Sequence, residues 1–160
     1  MSSERFVDAL NAQIGRELAA AHQYVAISTY YARETFPQLA AFFAKQADEE
    51  RGHAMKMVEY LVDRDARVEF GAIEAPTNTF PDHVAPIRTA LEQERSVTVR
   101  ISELFQIARE TNDFLSEQFI HWFLQEQVEE EASMQGVLDV AERTRDVPML
   151  LEEYLAREGA

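Results

Sequence analysis

Four long segments of this 160-residue chain repeat apolar residues at spacings of three and four, and prolines and turn residues separate the segments. Such spacing puts the apolar side chains on one face of an α-helix, so each segment is predicted to form a long amphipathic helix. The sequence shows no alternating pattern typical of β-strands and no internal repeat. These features restrict the fold to an all-α bundle built from four long helices.

The helix ends follow from the positions of the prolines and turn residues. The predicted helices cover about 3–34, 38–64, 82–110 and 114–143, followed by a short fifth helix at about 147–157. The first ends before Pro37, because a residue that precedes proline avoids the helical region. The third begins either with Asp82 as its N-cap or later, with Pro86 in its first turn. For the fifth, we expect Asp146 as the N-cap and Pro148 in the first turn.

The lengths of the connections predict the topology. Short turns join the first helix to the second and the third to the fourth, so each of these pairs should be antiparallel. The loop at 65–81, about 17 residues, is long for a connection inside a compact domain. It can run the length of the bundle and join helices two and three in parallel. We therefore predict a single domain over 1–160: a four-helix bundle (about 3–143) with one long crossover and an appended C-terminal helix.

Charge and composition exclude several classes of function. The formal net charge is −14, from 29 acidic and 15 basic residues, which opposes binding to a nucleic-acid backbone. The start of the chain lacks an apolar signal core, and no apolar run reaches the length of a membrane span. The chain has no cysteine, which excludes disulfides and thiolate metal sites. We expect a cytoplasmic protein that binds neither nucleic acid nor membranes.

Each predicted apolar stripe is interrupted by polar residues near the middle of its helix. The interrupting residues are Glu17 in the first helix, Glu50 and His53 in the second, Glu94 in the third, and Gln127 and Glu130 in the fourth. A buried ionised carboxylate is costly unless something neutralises it. No lysine or arginine lies on the stripes, and the topology brings the four positions level with one another. The pattern therefore predicts a shared metal cluster.

The ligand types narrow the choice of metal. Carboxylates with one imidazole and no thiolate favour hard or borderline cations, of which iron is the redox-active member. Glu50 can bridge two ions, Glu17 and His53 can complete the shell of one ion, and Glu94 and Glu130 that of the other. The four carboxylates together carry four negative charges, which balance two Fe(II) ions and allow the cluster to lie in a core.

The same residues resemble those of bacterial non-haem ferritins over nearly the whole chain. The matching residues are Glu17 and Tyr24, the stretch Glu49-Glu50-x-x-His53, Glu94, and Trp122 with Glu126-Gln127-x-Glu129-Glu130. Ferritin-like di-iron proteins are themselves a standard example of the bundle predicted above, so the architecture and the resemblance are not independent. Bacterioferritins carry a haem-ligating methionine directly after the bridging glutamate. Arg51 stands there in this chain, so we predict no haem.

The resemblance implies a ferroxidase that oxidises two Fe(II) ions with O2 or H2O2 and stores ferric oxyhydroxide mineral inside a cage of 24 subunits. Gln127 would donate a hydrogen bond near the open coordination positions rather than bind iron strongly. The acids Glu49, Glu126 and Glu129 resemble a third iron site, although a solvated acidic face would show the same pattern. Tyr24 can donate a hydrogen bond to a ligand carboxylate and supply an electron, or serve as a core tyrosine with a satisfied hydroxyl.

The short fifth helix could take part in assembly of the cage. Its apolar face includes Leu150, Leu151 and Leu155 and needs a surface to cover it. Four copies packed around a symmetry axis would cover it in a cage, whereas docking on its own bundle would cover it within one subunit.

Three other functions fit the sequence less well. A di-iron peroxidase of the rubrerythrin type would carry a second Glu-x-x-His or a cysteine-rich domain, and the chain has neither. A DNA-protecting mini-ferritin builds its iron sites between subunits, whereas all the ligands here lie within one bundle. A purely structural helical module would pair its buried acids with bases, and Arg16 and Arg51 lie off the stripes.

Overall fold

The computed structural model describes residues 3–159, and within that range the chain forms five helices and no strand. The helices are α1 (Glu4–Arg33), α2 (Pro37–Asp63), α3 (Ala85–Glu110), α4 (Phe114–Arg143) and α5 (Met149–Glu158). The first four match the predicted boundaries to within three residues. The all-α class, the four long helices and the short C-terminal helix are confirmed.

Local chemistry explains where the helices begin and end. The side chain of Ser3 accepts the backbone N–H of Phe6 at the start of α1, and that of Asp113 accepts the N–H of Ser116 at the start of α4. Such caps satisfy N–H groups that have no acceptor inside the helix. The residues just after α1, α2 and α3 adopt a left-handed conformation that ends each helix; they are Thr35, Asp65 and Asn112, with φ of 64°, 51° and 53°.

Two helices do not begin with the N-caps considered in the sequence analysis. Asp82 is not the N-cap of α3, but its carboxylate accepts the backbone N–H groups of Val84 and Ala85, both at 2.9 Å. The later start with Pro86 in the first turn is therefore the right one of the two alternatives. The prediction that Asp146 caps α5 is wrong: α5 begins at Met149 with Pro148 as its N-cap. Proline has no N–H and a fixed φ, so it is suited to the very start of a helix.

Each of the four long helices runs between two apolar cores, which lie at opposite ends of the bundle. The N-terminal core contains residues from the start of α1, the ends of α2 and α3 and the start of α4, among them Phe6, Leu61 and Phe123. The α5 core contains the opposite ends of the same helices together with α5, among them Tyr31, Phe43 and Leu151. Since α2 and α3 both run from the α5 core to the N-terminal core, they are parallel, as the long crossover requires.

The fifth helix packs against its own bundle. Leu151 is fully buried and Leu155 is 8% exposed, and both belong to the α5 core. The carboxylate of Glu152 accepts the backbone N–H groups of Gln38 and Leu39 at 2.8 and 2.9 Å, and thus caps the start of α2. Docking within one subunit therefore covers Leu151 and Leu155, whereas Leu150, on the same predicted apolar face, remains 47% exposed.

Candidate metal centre

A layer of polar side chains separates the two apolar cores. Glu17, Glu50 and Glu94 are each 1% exposed, His53 is 7% exposed and Glu130 is 8% exposed. All four long helices contribute to this layer, which lies near their midpoints. The sequence pattern thus identified side chains that the fold buries together.

Three of the predicted ligands form a compact group on the antiparallel pair α1 and α2. Nδ1 of His53 lies 3.9 Å from a carboxylate oxygen of Glu17 and 3.7 Å from one of Glu50. One ligand atom from each residue lies within 4.8 Å of the other two, a spacing that one metal ion can span. On α2 the i, i+3 spacing of Glu50 and His53 places both on one face, as predicted.

The carboxylate of Glu94, on the second antiparallel pair, is held by hydrogen bonds. The hydroxyl of Tyr24 donates to the carboxylate of Glu94 across the bundle. Nε2 of Gln127 donates to the other oxygen of that carboxylate at 3.2 Å and to the Glu94 carbonyl at 3.1 Å. These contacts fix the carboxylate in one orientation, and Gln127 lies where its predicted supporting role requires.

The acids predicted as a third site do not lie together in one group. Glu126 is half-buried, and one of its oxygens lies within 4.8 Å of ligand atoms of His53 and Glu130. Glu49 is half-buried and accepts a hydrogen bond from Gln46 at 3.1 Å, whereas Glu129 is exposed. Of these three acids, Glu126 is the one grouped with residues of the buried layer.

Burial and mutual repulsion make the acids hard to ionise without a cation. Burial raises the pKa of Glu17 well above its usual value, and the neighbouring Glu50 carboxylate raises it further. Burial raises the pKa of Glu50 to about 8, with further contributions from Glu94 and Glu130. Burial and the charge of Glu94 raise the pKa of Glu130 to about 7. Strongly perturbed groups that cluster in this way are typical of functional sites.

The oxygen atoms of the layer fit a metal ion. Within residues 3–159, no hydrogen bond reaches Glu17 Oε2 or either carboxylate oxygen of Glu50, although all three atoms are buried. Buried polar atoms normally have hydrogen-bond partners. Carboxylate oxygens with one imidazole are ligands that iron accepts, and a divalent cation would satisfy both the free lone pairs and the excess negative charge.

One residue that supports the ligand Glu17 was not predicted from the sequence. Gln13 is fully buried on α1, and its Nε2 donates to Glu17 Oε1 at 2.7 Å. This bond leaves the other oxygen of Glu17 directed toward His53. The spacing of four residues between Gln13 and Glu17 on a predicted helix could have revealed the contact.

Comparison with known proteins agrees with the fold. The profile of the Ferritin family, described as a ferritin-like domain, matches residues 7–144. The chain belongs to the ferritin family. Ferritins are iron-storage proteins, and residues of the buried layer form groups that could hold a metal ion.

Several ferritins resemble the chain over most of its length. Ferritin BfrB of Mycobacterium tuberculosis is 46% identical over 154 residues, which cover 96% of this chain and 85% of the relative. The bacterial non-haem ferritin of Staphylococcus aureus is 38% identical over 160 residues, or 100% of this chain and 96% of the relative. An open pore ferritin from the archaeon Archaeoglobus fulgidus superposes with a TM-score of 0.93 at 32% identity, covering 97% of this chain and 98% of the other.

None of the described helices has a stretch that is both long and apolar enough to cross a bilayer.

Proposed function

We propose that this ferritin is a ferroxidase that binds two Fe(II) ions in the buried layer, oxidises them, and passes the product to a stored mineral. The group formed by Glu17, Glu50 and His53 carries the proposal, because its ligand atoms are preassembled within 4.8 Å and three of its oxygens lack hydrogen bonds. A site with these properties can bind a cation with small side-chain movements.

Each ligand has a distinct task in this proposal. Glu17 and His53 hold one ion, and Glu94 and Glu130 hold the other. Glu50 bridges the two ions, since both of its oxygens are without hydrogen bonds. Gln127 and Tyr24 keep the Glu94 carboxylate in place through their hydrogen bonds. Because Glu94 is already held while Glu50 is free, we expect the first ion to bind beside His53.

The reaction balances with either oxidant. Two Fe(II) ions lose one electron each, and O2 accepts both electrons with two protons to become H2O2. When H2O2 is the oxidant, it accepts two electrons and two protons and becomes two molecules of water. The chain supplies no thiol and no haem in this scheme, and the electrons come from the iron itself.

Glu126 gives the product a route out of the centre. It lies within 4.8 Å of His53 and Glu130, so it can bind an ion that leaves the buried pair. We propose that Glu126 belongs to a third site, with the half-buried Glu49 and the exposed Glu129 further along the route. These three acids would pass iron from the layer to the storage cavity.

Storage of a mineral requires an enclosed space that a single bundle cannot provide. We therefore propose that this single domain of residues 1–160 assembles into a cage of 24 subunits in the cytoplasm. Analytical ultracentrifugation of the purified protein would measure the stoichiometry, and a monomer or dimer at micromolar concentration would contradict the cage.

The test of the ferroxidase uses metal-free protein, aerobic Fe(II) and a stopped-flow record of ferric absorbance with oxygen uptake. We expect a fast phase that consumes two Fe(II) per subunit, followed by slower mineral growth. Glu50→Ala removes the bridging carboxylate and should abolish the fast phase. Glu59→Ala, an exposed acid on the same helix, is the matched control and should behave as the wild type.

The outcomes separate a metal centre from a structural polar layer. A fast phase in the wild type and in Glu59→Ala, but not in Glu50→Ala, would support the di-iron ferroxidase. Slow and equal rates in all three proteins would show that the buried acids do not form a ferroxidase.

A further inference from the structure

A continuous chain of aromatic rings leads from the metal centre to the protein surface. In order from the centre, its rings are those of Tyr24, Phe43, Tyr31 and Tyr30. Successive ring centroids lie 5.6, 5.7 and 5.3 Å apart, the separation of aromatic rings in contact. Tyr24 and Tyr31 are fully buried, whereas Tyr30 is half-buried and lines an open groove between α1 and the crossover loop.

We propose that this aromatic chain is an electron relay that carries single electrons inward from Tyr30 to Tyr24. The relay acts when the centre holds an oxidant but too little Fe(II) to reduce it fully. It rests on the proposed function, since Fe(II) and H2O2 at the centre supply the oxidising species.

The inner end of the relay is equipped to lose an electron. A phenol gives up its proton when it is oxidised, and the hydroxyl of Tyr24 already donates to the Glu94 carboxylate, which can take that proton. A single Fe(II) gives H2O2 one electron, and the products are hydroxide and a hydroxyl radical. Tyr24 supplies the second electron, which converts the radical into hydroxide, and the phenolic proton moves to Glu94.

The outer end is equipped to replace the lost electron. The Tyr24 radical takes an electron from Tyr30 through the two intervening rings and recovers its proton from Glu94. Tyr30 releases its own proton to water in the groove. A diffusible one-electron donor such as ascorbate then reduces the Tyr30 radical, so the oxidising equivalent leaves the buried centre without damaging its ligands.

Tyr31 is a bridge within the relay rather than a place where the radical rests. Its hydroxyl donates to the backbone carbonyl of His83 at 2.6 Å, and a carbonyl is too weak a base to take the proton. Burial also raises the pKa of Tyr31 far above its usual value. The ring can pass an electron by its contacts with Phe43 and Tyr30, but loss of the proton is disfavoured there.

A second series of rings on the opposite side of the centre lacks these properties. His53 contacts Trp122 and Phe123, and further ring contacts through Phe119 lead to Tyr60. The ammonium group of Lys56 lies 3.8 Å from the centroid of the Trp122 ring, and the guanidinium carbon of Arg64 lies 6.0 Å from that of the Tyr60 ring. A positive charge over the ring opposes removal of an electron from it. Tyr60 is therefore an internal control that should remain unoxidised.

The test locates the radical in the full-length protein. Each subunit receives one equivalent of Fe(II), then H2O2 with a nitroso spin trap, and peptide mass spectrometry identifies the labelled residue. We expect label on Tyr30 and none on Tyr60 or Tyr154. Tyr24→Phe should abolish the label on Tyr30. Phe43→Leu should also abolish it, while Phe42→Leu, an adjacent partly buried ring outside the chain, should leave it unchanged.

A second measurement uses a variant at the outer end of the chain that keeps the aromatic ring and its packing. In Tyr30→Phe, freeze-quenched electron paramagnetic resonance should show a tyrosyl signal that stays at Tyr24 and decays more slowly with ascorbate than in the wild type. Tyr31→Phe keeps the ring and loses only the hydroxyl, so its label on Tyr30 should match the wild type.

Iron oxidation is followed in the same samples, which separates the two proposals. Normal Fe(II) oxidation with label on Tyr30 that persists in Tyr24→Phe, or with equal label on Tyr30 and Tyr60, would overturn the relay alone. Absence of rapid Fe(II) oxidation in the wild type would overturn the ferroxidase and remove the relay's oxidant with it.

Discussion

The α5 core and the N-terminal core are built from the same four helices but differ in how they treat their aromatic residues. In the α5 core, Tyr24 and Tyr31 are fully buried and each hydroxyl donates to an acceptor inside the protein. In the N-terminal core, Tyr60 and Trp122 are partly buried and cationic side chains lie over their rings. The buried tyrosines of the α5 core donate to oxygen acceptors, whereas the rings of the N-terminal core lie beneath positive charge. The two halves of the bundle therefore surround one centre with different electrostatic environments.

The largest expected effect comes from a cavity in either core. Leu61→Ala in the N-terminal core should lower the free energy of unfolding by about 2 to 5 kcal/mol. Leu151→Ala in the α5 core should cost less globally, because α5 can detach while the four long helices stay folded. Urea denaturation measures the first effect, and amide hydrogen exchange in α5 measures the second. Equal global losses, with exchange in α5 unchanged, would show that the two cores respond as one.

Replacement of one carboxylate of the polar layer by an apolar side chain should stabilise the metal-free protein. Glu50→Leu replaces a buried carboxylate without hydrogen bonds by an apolar side chain, so the metal-free protein should become more stable by about 1 to 4 kcal/mol. Urea denaturation in the presence of a chelator measures the change, with Glu59→Ala as the control. Redox-inert Zn(II) should stabilise the wild type but not Glu50→Leu. A loss of stability in Glu50→Leu would mean that the layer contributes to folding without metal.

The pH dependence of the metal-free protein should come from the same layer. The pKa of Glu50 is raised to about 8 and that of Glu130 to about 7 in the folded state, above the ordinary value of 4.5 expected after unfolding. The folded protein therefore binds protons that the unfolded chain releases, and this stabilising contribution is complete below about pH 4.5. It is lost as the pH rises through about 8.

A thermal melt tests this dependence. Between pH 5 and pH 8 in chelator, the wild-type melting temperature should fall by several degrees more than that of Glu50→Leu. A saturating divalent cation should reverse the trend, because it binds the ionised carboxylates. Identical pH profiles for the two proteins would indicate that Glu50 is ionised at every pH tested.

The smallest expected effect concerns the contact that closes the α5 core. Glu152→Gln removes the charge that caps the start of α2 but keeps one oxygen acceptor, so the loss should be about 1 kcal/mol. Glu153→Gln, at the next and exposed position, is the control. Denaturant midpoints measure both. A larger effect for Glu153 than for Glu152 would contradict the capping role.

The sequence was sufficient to predict what local chemistry determines. The spacing of three and four residues on α2 predicts an inward stripe of seven residues, and all seven are buried: Leu39, Phe43, Gln46, Glu50, His53, Met57 and Leu61. The bounds of α4 also match the prediction. The periodicity, the turn residues and the prolines encode these features directly. The topology followed from loop lengths alone, and the mid-helix acids were found because each one interrupts an apolar pattern.

Features that depend on the packing of particular helices were not predictable. The spacing of three and four residues on α3 predicts that Thr98 and Phe105 face inward, but Val97 and Leu104 are the buried residues. The predicted stripe repeats every 3.5 residues whereas the helix has 3.6 residues per turn, so the stripe drifts around a long helix and the neighbouring helices decide which edge is covered. The approach of Glu126 to His53 and the docking of α5 also depend on distances between helices. A sequence does not give these distances.

The division of the bundle into two helical hairpins has a consequence for how the chain folds. The hairpin of α1 and α2 carries Glu17, Glu50 and His53, and the hairpin of α3 and α4 carries Glu94 and Glu130. Each hairpin is made of contacts close in sequence and can form early, whereas docking across the long crossover must bring four carboxylates into one plane. Docking is therefore the kinetic step that acid or a divalent cation should accelerate, so iron in the cell would promote the maturation of the protein that stores it.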